Sequence, residues 1–165
     1  MPIRPDLRHL YNTPEYRAVR RRILARAGGK FAGEDFDGPY VGGARCEECG
    51  KPDRVRVWVY AGRDPLGRRV QYWTAFGRAR WRDSSGALVP RAIWPAPGLP
   101  RPIWCVLTVA HRNHQAGDDR PENLAVWCQW CHLHHDQEKH KETRCTRKDR
   151  ARPLLVEASP GGQNG

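Results

Sequence analysis

Apolar residues fall on one helical stripe after Thr13: Tyr16, Val19, Ile23, Leu24 and Ala27 stand at i, i+3, i+7, i+8 and i+11. Thr13 is a natural N-cap, Pro14 suits the first helical position, and Gly28-Gly29 ends the run. The spacing predicts a helix whose other face carries Arg17, Arg20, Arg21, Arg22 and Arg26. Residues 1–12 lack periodicity and read as a loosely held arm. Residues 30–44 are Gly-rich and read as a loop with solvated acids at Glu34, Asp35 and Asp37. Alternation over 54–60 (RVRVWVY) predicts a strand, 62–67 a turn, and 68–75 (RRVQYWTA) its return. A further strand pair is expected over 78–82 and 87–92 around Asp83-Ser84-Ser85-Gly86, followed by a proline-rich extended connector over 93–102. Trp58, Trp73, Trp81 and Trp94 in this block read as core. Residues 103–110 (IWCVLTVA) read as one buried strand, 112–122 as a polar loop turning at Gly117-Asp118-Asp119, and a helix is expected from His132 to about residue 144. The Gly/Ser/Pro-rich end, 145–165, reads as disordered. Helix and strand signals together give an α+β class.

Charge narrows the partner. The 165-residue chain has 29 Lys+Arg against 18 Asp+Glu, a net charge of +11, which points to a polyanion and first to nucleic acid. The start, MPIRPDLRHLYNT, has no apolar run of signal-peptide type, and no stretch reaches the length of a membrane span. An intracellular, cytoplasmic protein is therefore expected, and there a CxxC pair is a metal or redox site before it is a disulfide.

The chemistry gathers near the end of the apolar pattern. Six of the seven histidines lie between His111 and His140. Cys46-x-x-Cys49 and Cys128-x-x-Cys131 form two knuckle pairs, whose thiolates would make a tetrahedral, structural Zn²⁺ site. A redox CxxC is the competing reading, disfavoured by the second pair. Cys105 and Cys145 lack the pairing of ligands. On a helix starting near His132, His132, Asp136 and His140 would share one face with His135 beside it, a donor set for a divalent cation. His111, between a strand and a polar loop, suits a general base, and Asn123 could fasten the loop backbone.

These parts in order resemble the HNH endonuclease family, in its zinc-knuckle bacterial and phage form. The resemblance rests on Cys46-x-x-Cys49, Val109-Ala110-His111, Arg120-Pro121-Glu122-Asn123-Leu124, Trp127-Cys128-x-x-Cys131-His132 and His135-Asp136. It covers about residues 14–50 and 103–140. It implies a ββα-metal, treble-clef-like core with a four-cysteine zinc knuckle, formed by residues 14–144 with 54–102 as a β-rich insertion, between an arm (1–13) and a basic tail (145–165). It implies hydrolysis of DNA phosphodiesters, with His111 activating water and Asn123 as the structural middle residue. A second cation, Mg²⁺, Mn²⁺ or another divalent ion, would be held by Asp136 with His140, His114 or His135. Arg20, Arg21, Arg112 and Lys139 are the expected DNA contacts. Family members commonly carry a ligand just before the general base; here that position is Ala110. Two rival expectations stand beside the nuclease: a non-catalytic zinc-knuckle DNA-binding protein, and an accessory factor that works with phage DNA-packaging proteins in the cytoplasm of an infected bacterial cell.

Overall fold

The structure is a computed structural model that describes residues 5–33, 38–63, 66–75, 80–91, 100–137, 139 and 141. It mixes helix and antiparallel sheet, and divides into two units, Met1–Leu133 and His134–Gly165. All the described sheets belong to the first unit.

Pro5–Leu7 makes one 3-10 turn and Arg8–Tyr11 a short helix, α1. The expected loose arm is therefore helical over its described part. Its anchor is aromatic: the Tyr11 ring meets Tyr16 edge-on at 5.0 Å between centroids. The long helix, α2 (Pro14–Arg26), forms as the stripe requires. Thr13 Oγ1 accepts from the Tyr16 amide at 3.1 Å, and Tyr16, Ile23 and Leu24 are buried. The expected loop after it closes into a small hairpin of β1 (Lys30–Phe31) and β2 (Tyr40–Gly42). The acids Glu34, Asp35 and Asp37 lie outside the described residues.

A three-stranded sheet follows, in the order β4–β3–β5, from β3 (Val55–Arg63), β4 (Arg69–Thr74) and β5 (Arg101–Cys105). The further strand pair expected over 78–92 reduces, among the described residues, to isolated bridges of Arg82 with Trp73 and Leu88. Asp83 tightens the turn there, its Oδ1 accepting from the amides of Ser85 and Ala87. Trp73 and Trp81 are buried as expected, Trp58 is only half-buried, and Trp94 lies outside the described residues.

The single buried strand expected over 103–110 is two strands in two sheets. β5 pairs with β3, and β6 (Leu107–His111) pairs with β7 (Leu124–Cys128). The chain changes sheet at the exposed Val106. The buried carboxylate of Asp53 holds the change in place: Oδ1 accepts from the Leu107 amide at 2.7 Å and Oδ2 from the Tyr40 hydroxyl at 2.8 Å. The last helix, α3 (Gln129–His135), begins three residues before the predicted start. One apolar core unites Ile23 and Leu24 of α2, Val57 and Trp73 of the three-stranded sheet, Leu107, Leu124, Val126 and Trp127 of the hairpin, and the paired cysteines.

Candidate functional site

The four paired cysteines meet. Cys46 and Cys49 sit on a tight turn, where the Gly50 amide donates to the Cys46 carbonyl at 2.8 Å. Gly50 stands at φ 72°, which a residue with a side chain adopts at a cost. Cys128 ends β7, and Cys131 lies in the first turn of α3. All four are buried and free of disulfides, and their sulfurs lie within 4.8 Å of one another. The Cys49 and Cys128 sulfurs are 3.7 Å apart. A tetrahedron of sulfurs at about 2.3 Å from Zn²⁺ has edges of about 3.8 Å, so the donor set fits that ion. The Cys128 amide donates to the Cys46 sulfur at 3.3 Å, a contact that steadies a thiolate. Cys105 stands apart from the cluster, and burial pushes its thiol up to about 12, so it stays protonated.

The surroundings explain why so small a turn is stable. Lys51, only 1% exposed, lies with its ammonium 3.9 Å from the Cys128 sulfur. It also donates to Gln71 Oε1 of β4 and lies 5.9 Å from the Trp73 ring centre. A buried ammonium is expensive without compensation, and a thiolate cluster supplies it. Glu47, between the cysteines, receives the Val126 amide at 3.1 Å through Oε2 and Arg26 Nε at 2.9 Å through Oε1. Arg26 also donates to the carbonyls of Pro121 and Leu124 at 2.8 and 2.7 Å, tying α2 to the start of β7. Gly86, in the turn beyond β4, closes over the knuckle: a Cβ there would lie 2.8 Å from the Cys49 carbonyl oxygen.

The second group of polar residues surrounds the loop that joins β6 to β7. His111 ends β6, is 8% exposed, and directs Nε2 to Asp119 Oδ1 at 2.8 Å. The Tyr11 ring meets it edge-on with centroids 6.0 Å apart. Asn123 does what the sequence predicted of it. Its Nδ2 donates to the Asp118 carbonyl at 2.8 Å and Asn113 Oδ1 at 3.0 Å, and its Oδ1 accepts from the Asn113 amide at 3.1 Å. The backbone adds an Arg112 amide to Asn123 carbonyl bond of 2.7 Å. The loop thus closes on one amide side chain. Asp118 braces it from outside: hydrogen bonds from Arg120 and Asn113 hold its carboxyl down at about 2.

Other predicted residues are placed as follows. His114 is half-buried in the turn after β6, at φ 61°, its amide donating to the His111 carbonyl at 3.3 Å. His135 is the exposed last residue of α3; Asp136 follows the helix and is buried, and Lys139 is exposed. α3 ends before Asp136, which corrects the expectation of one continuous helical face through His132, Asp136 and His140. His132 is half-buried, its ring centre 6.2 Å from that of Trp127, and His140 lies outside the described residues. Ala110, opposite Ala125 in the hairpin, is 4% exposed and offers no donor. Arg20 is exposed on α2. Arg21 and Arg112 serve the fold as well: Arg21 donates to the Gly38 carbonyl at 3.1 Å, and Arg112 lies over the Trp127 ring at 5.4 Å and 3.6 Å from Glu47.

Asp119, Lys51 and Glu47 are the site residues that sequence reasoning passed over. Asp119 read only as turn chemistry. Lys51 looked like any lysine, although its position two residues after a CxxC was a usable signal. The chain matches no protein-family model, no curated protein and no solved structure.

Proposed function

We propose that this protein is a metal-dependent DNA endonuclease of HNH type, with a structural zinc knuckle and a ββα-metal catalytic hairpin. One observation supports the reading above the others: the buried His111 pairs with the half-buried Asp119 across a loop fastened by Asn123. With Nε2–H donated to Asp119, the Nδ1 lone pair is left to take a proton from water. The carboxylate then stabilises the imidazolium that forms and keeps the ring in one orientation. Asn123 fixes the loop that holds both partners, so it is a positioning residue. A divalent cation, when bound, would neutralise charge on the scissile phosphate and the departing 3′ oxygen. The donors that the sequence offers it are Asp136 with His114, His135 or His140. Arg20, Arg21, Arg112 and Lys139 would meet the DNA backbone.

The test is nicking of supercoiled plasmid with Mg²⁺ or Mn²⁺. The zinc-loaded wild type cuts, and His111→Ala loses on the order of 10²–10⁴ in rate. Equal cutting by the two, or none by either with any divalent cation, overturns the reading. Ala110 favours one second reading, a zinc-knuckle protein that binds DNA without cutting it, alone or as an accessory to DNA packaging. Salt-sensitive DNA binding by an uncleaving wild type would select it.

A further inference from the structure

The loop that holds His111 does not by itself determine how the imidazole is turned. The His111 side chain is 6% exposed, yet among the described residues its ring has one hydrogen bond, to Asp119, and one ring contact, to Tyr11. A carboxylate only accepts, so the Asp119 bond keeps a proton on Nε2. One bond fixes one atom of the ring and leaves its plane free to turn. The second torsion of a histidine has no sharp staggered preference that would stop it. Asn123 does not hold the ring, because its amide is engaged by Asn113 and the Asp118 carbonyl.

The second contact comes from a hundred positions earlier in the chain. The Tyr11 ring meets the imidazole with centroids 6.0 Å apart and planes at 70°, the edge-on arrangement that aromatic pairs prefer. Tyr11 is itself braced from two sides. It meets the buried Tyr16 of α2 at 5.0 Å and 86°, and Arg17 donates to the carbonyl of the next residue, Asn12, at 2.9 Å. On the other side Leu10 reaches the tip of the β6–β7 loop, its Cδ1 3.9 Å from where a Cβ on Gly117 would lie. α1 thus bridges α2 and the loop, with Tyr11 against the imidazole. Burial first, and then the Asp119 carboxylate, push the Tyr11 phenol above its ordinary value. The ring therefore stays neutral and does not compete with Asp119 for the imidazole proton.

We propose that Tyr11 is a positioning residue for His111: its ring fixes the plane of the imidazole, so that Nε2–H stays on Asp119 and the opposite nitrogen keeps one direction. The value of this to catalysis rests on the nuclease reading above, in which His111 takes a proton from water; the clamp itself does not. The stretch before α2, an arm without periodicity in the sequence, thereby completes the surroundings of the histidine.

The first measurement needs no substrate. In the isotope-labelled, zinc-loaded full chain, the His111 Nε2–H gives a proton–nitrogen correlation, assigned by its absence from His111→Gln. In the wild type this proton exchanges slowly with water. Tyr11→Ala speeds its exchange by several-fold up to about tenfold, the worth of one aromatic pair, whereas Tyr11→Phe keeps the ring and the slow exchange. The second measurement is plasmid nicking. Tyr11→Ala lowers kcat on the order of tenfold at unchanged KM, and Tyr11→Phe restores it. Exchange in Tyr11→Ala equal to wild type overturns the proposal, and so does a wild-type proton already lost to rapid exchange. Nicking by Tyr11→Ala as fast as wild type, or faster, also overturns it, because the ring then only covers the imidazole. Should the alanine variant unfold, Tyr11→Leu takes its place with the same expectations, since it keeps apolar bulk without a flat ring. A protein that never nicks can still show the Tyr11 dependence of exchange. Exchange that ignores Tyr11 leaves the His111 dependence of nicking untouched.

Discussion

His111 and Asp119 are eight positions apart, too far for local geometry to pair them, and their contact depends on Asn123 closing the loop between. Asp119→Asn keeps the size of the side chain and removes its charge. The expected result is a fall in nicking on the order of a hundredfold or more with the fold intact, read as kcat rather than KM. Activity equal to wild type would remove Asp119 from the dyad. Lys51 makes a parallel case at the knuckle. A zinc ion with four thiolates has a net charge of −2, and the ammonium 3.9 Å from Cys128 offsets part of it. Lys51→Met should weaken zinc binding 10–100-fold in competition with a chelator, the range seen when a metal site's outer partners are lost. Unchanged zinc affinity would make Lys51 a packing residue only. The paired cysteines were visible in the sequence because the CxxC spacing marks them, and His111 and Asn123 drew notice as the histidine and the amide at the two ends of a polar loop. Asp119 and Lys51 were not, because each acquires its role from a partner that only the fold supplies.

At the scale of elements, signals that act over a few residues proved readable. The α2 cap is such a signal. Thr13→Ala removes the bond to the Tyr16 amide and should cost about 1 kcal/mol, seen as a lower denaturant midpoint at unchanged slope. No change in midpoint would mean that packing of Tyr16, Ile23 and Leu24 alone sets the start of the helix. Signals that depend on a distant partner were misread. IWCVLTVA looks like one buried strand because nothing in those residues marks Val106 as the point where the chain leaves the sheet. The marker is Asp53, which captures the Leu107 amide from more than fifty residues away. One local clue was present. Proline cannot donate to a central ladder, so Pro102 already placed β5 at a sheet edge, where Ile103 and Trp104 can meet solvent. The early start of α3 has a similar origin: Cys131 must lie in its first turn to join Cys128, and that requirement pulls the start back to Gln129.

For the first unit as a whole, the knuckle is where distant parts of the chain are joined. Cys46 and Cys49 come from the segment after α2, and Cys128 and Cys131 from the end of the hairpin. Lys51 and Gln71 add β4, Gly86 adds the turn beyond it, and Glu47 with Arg26 adds α2. The three-stranded sheet and the hairpin therefore share one core with the cysteines and are not independent modules. Metal binding to such a set is folding free energy, on the order of 10 kcal/mol. Chelation of zinc should accordingly lower the melting temperature of the three-stranded sheet together with that of the hairpin, in one transition. Hydrogen exchange at the amides of Val57 and Trp73 should accelerate in parallel with that at Val126. If the hairpin amides lose protection while those of Val57 and Trp73 keep theirs, the sheet is held by its own packing, and the Lys51–Gln71 link does not couple it to the metal.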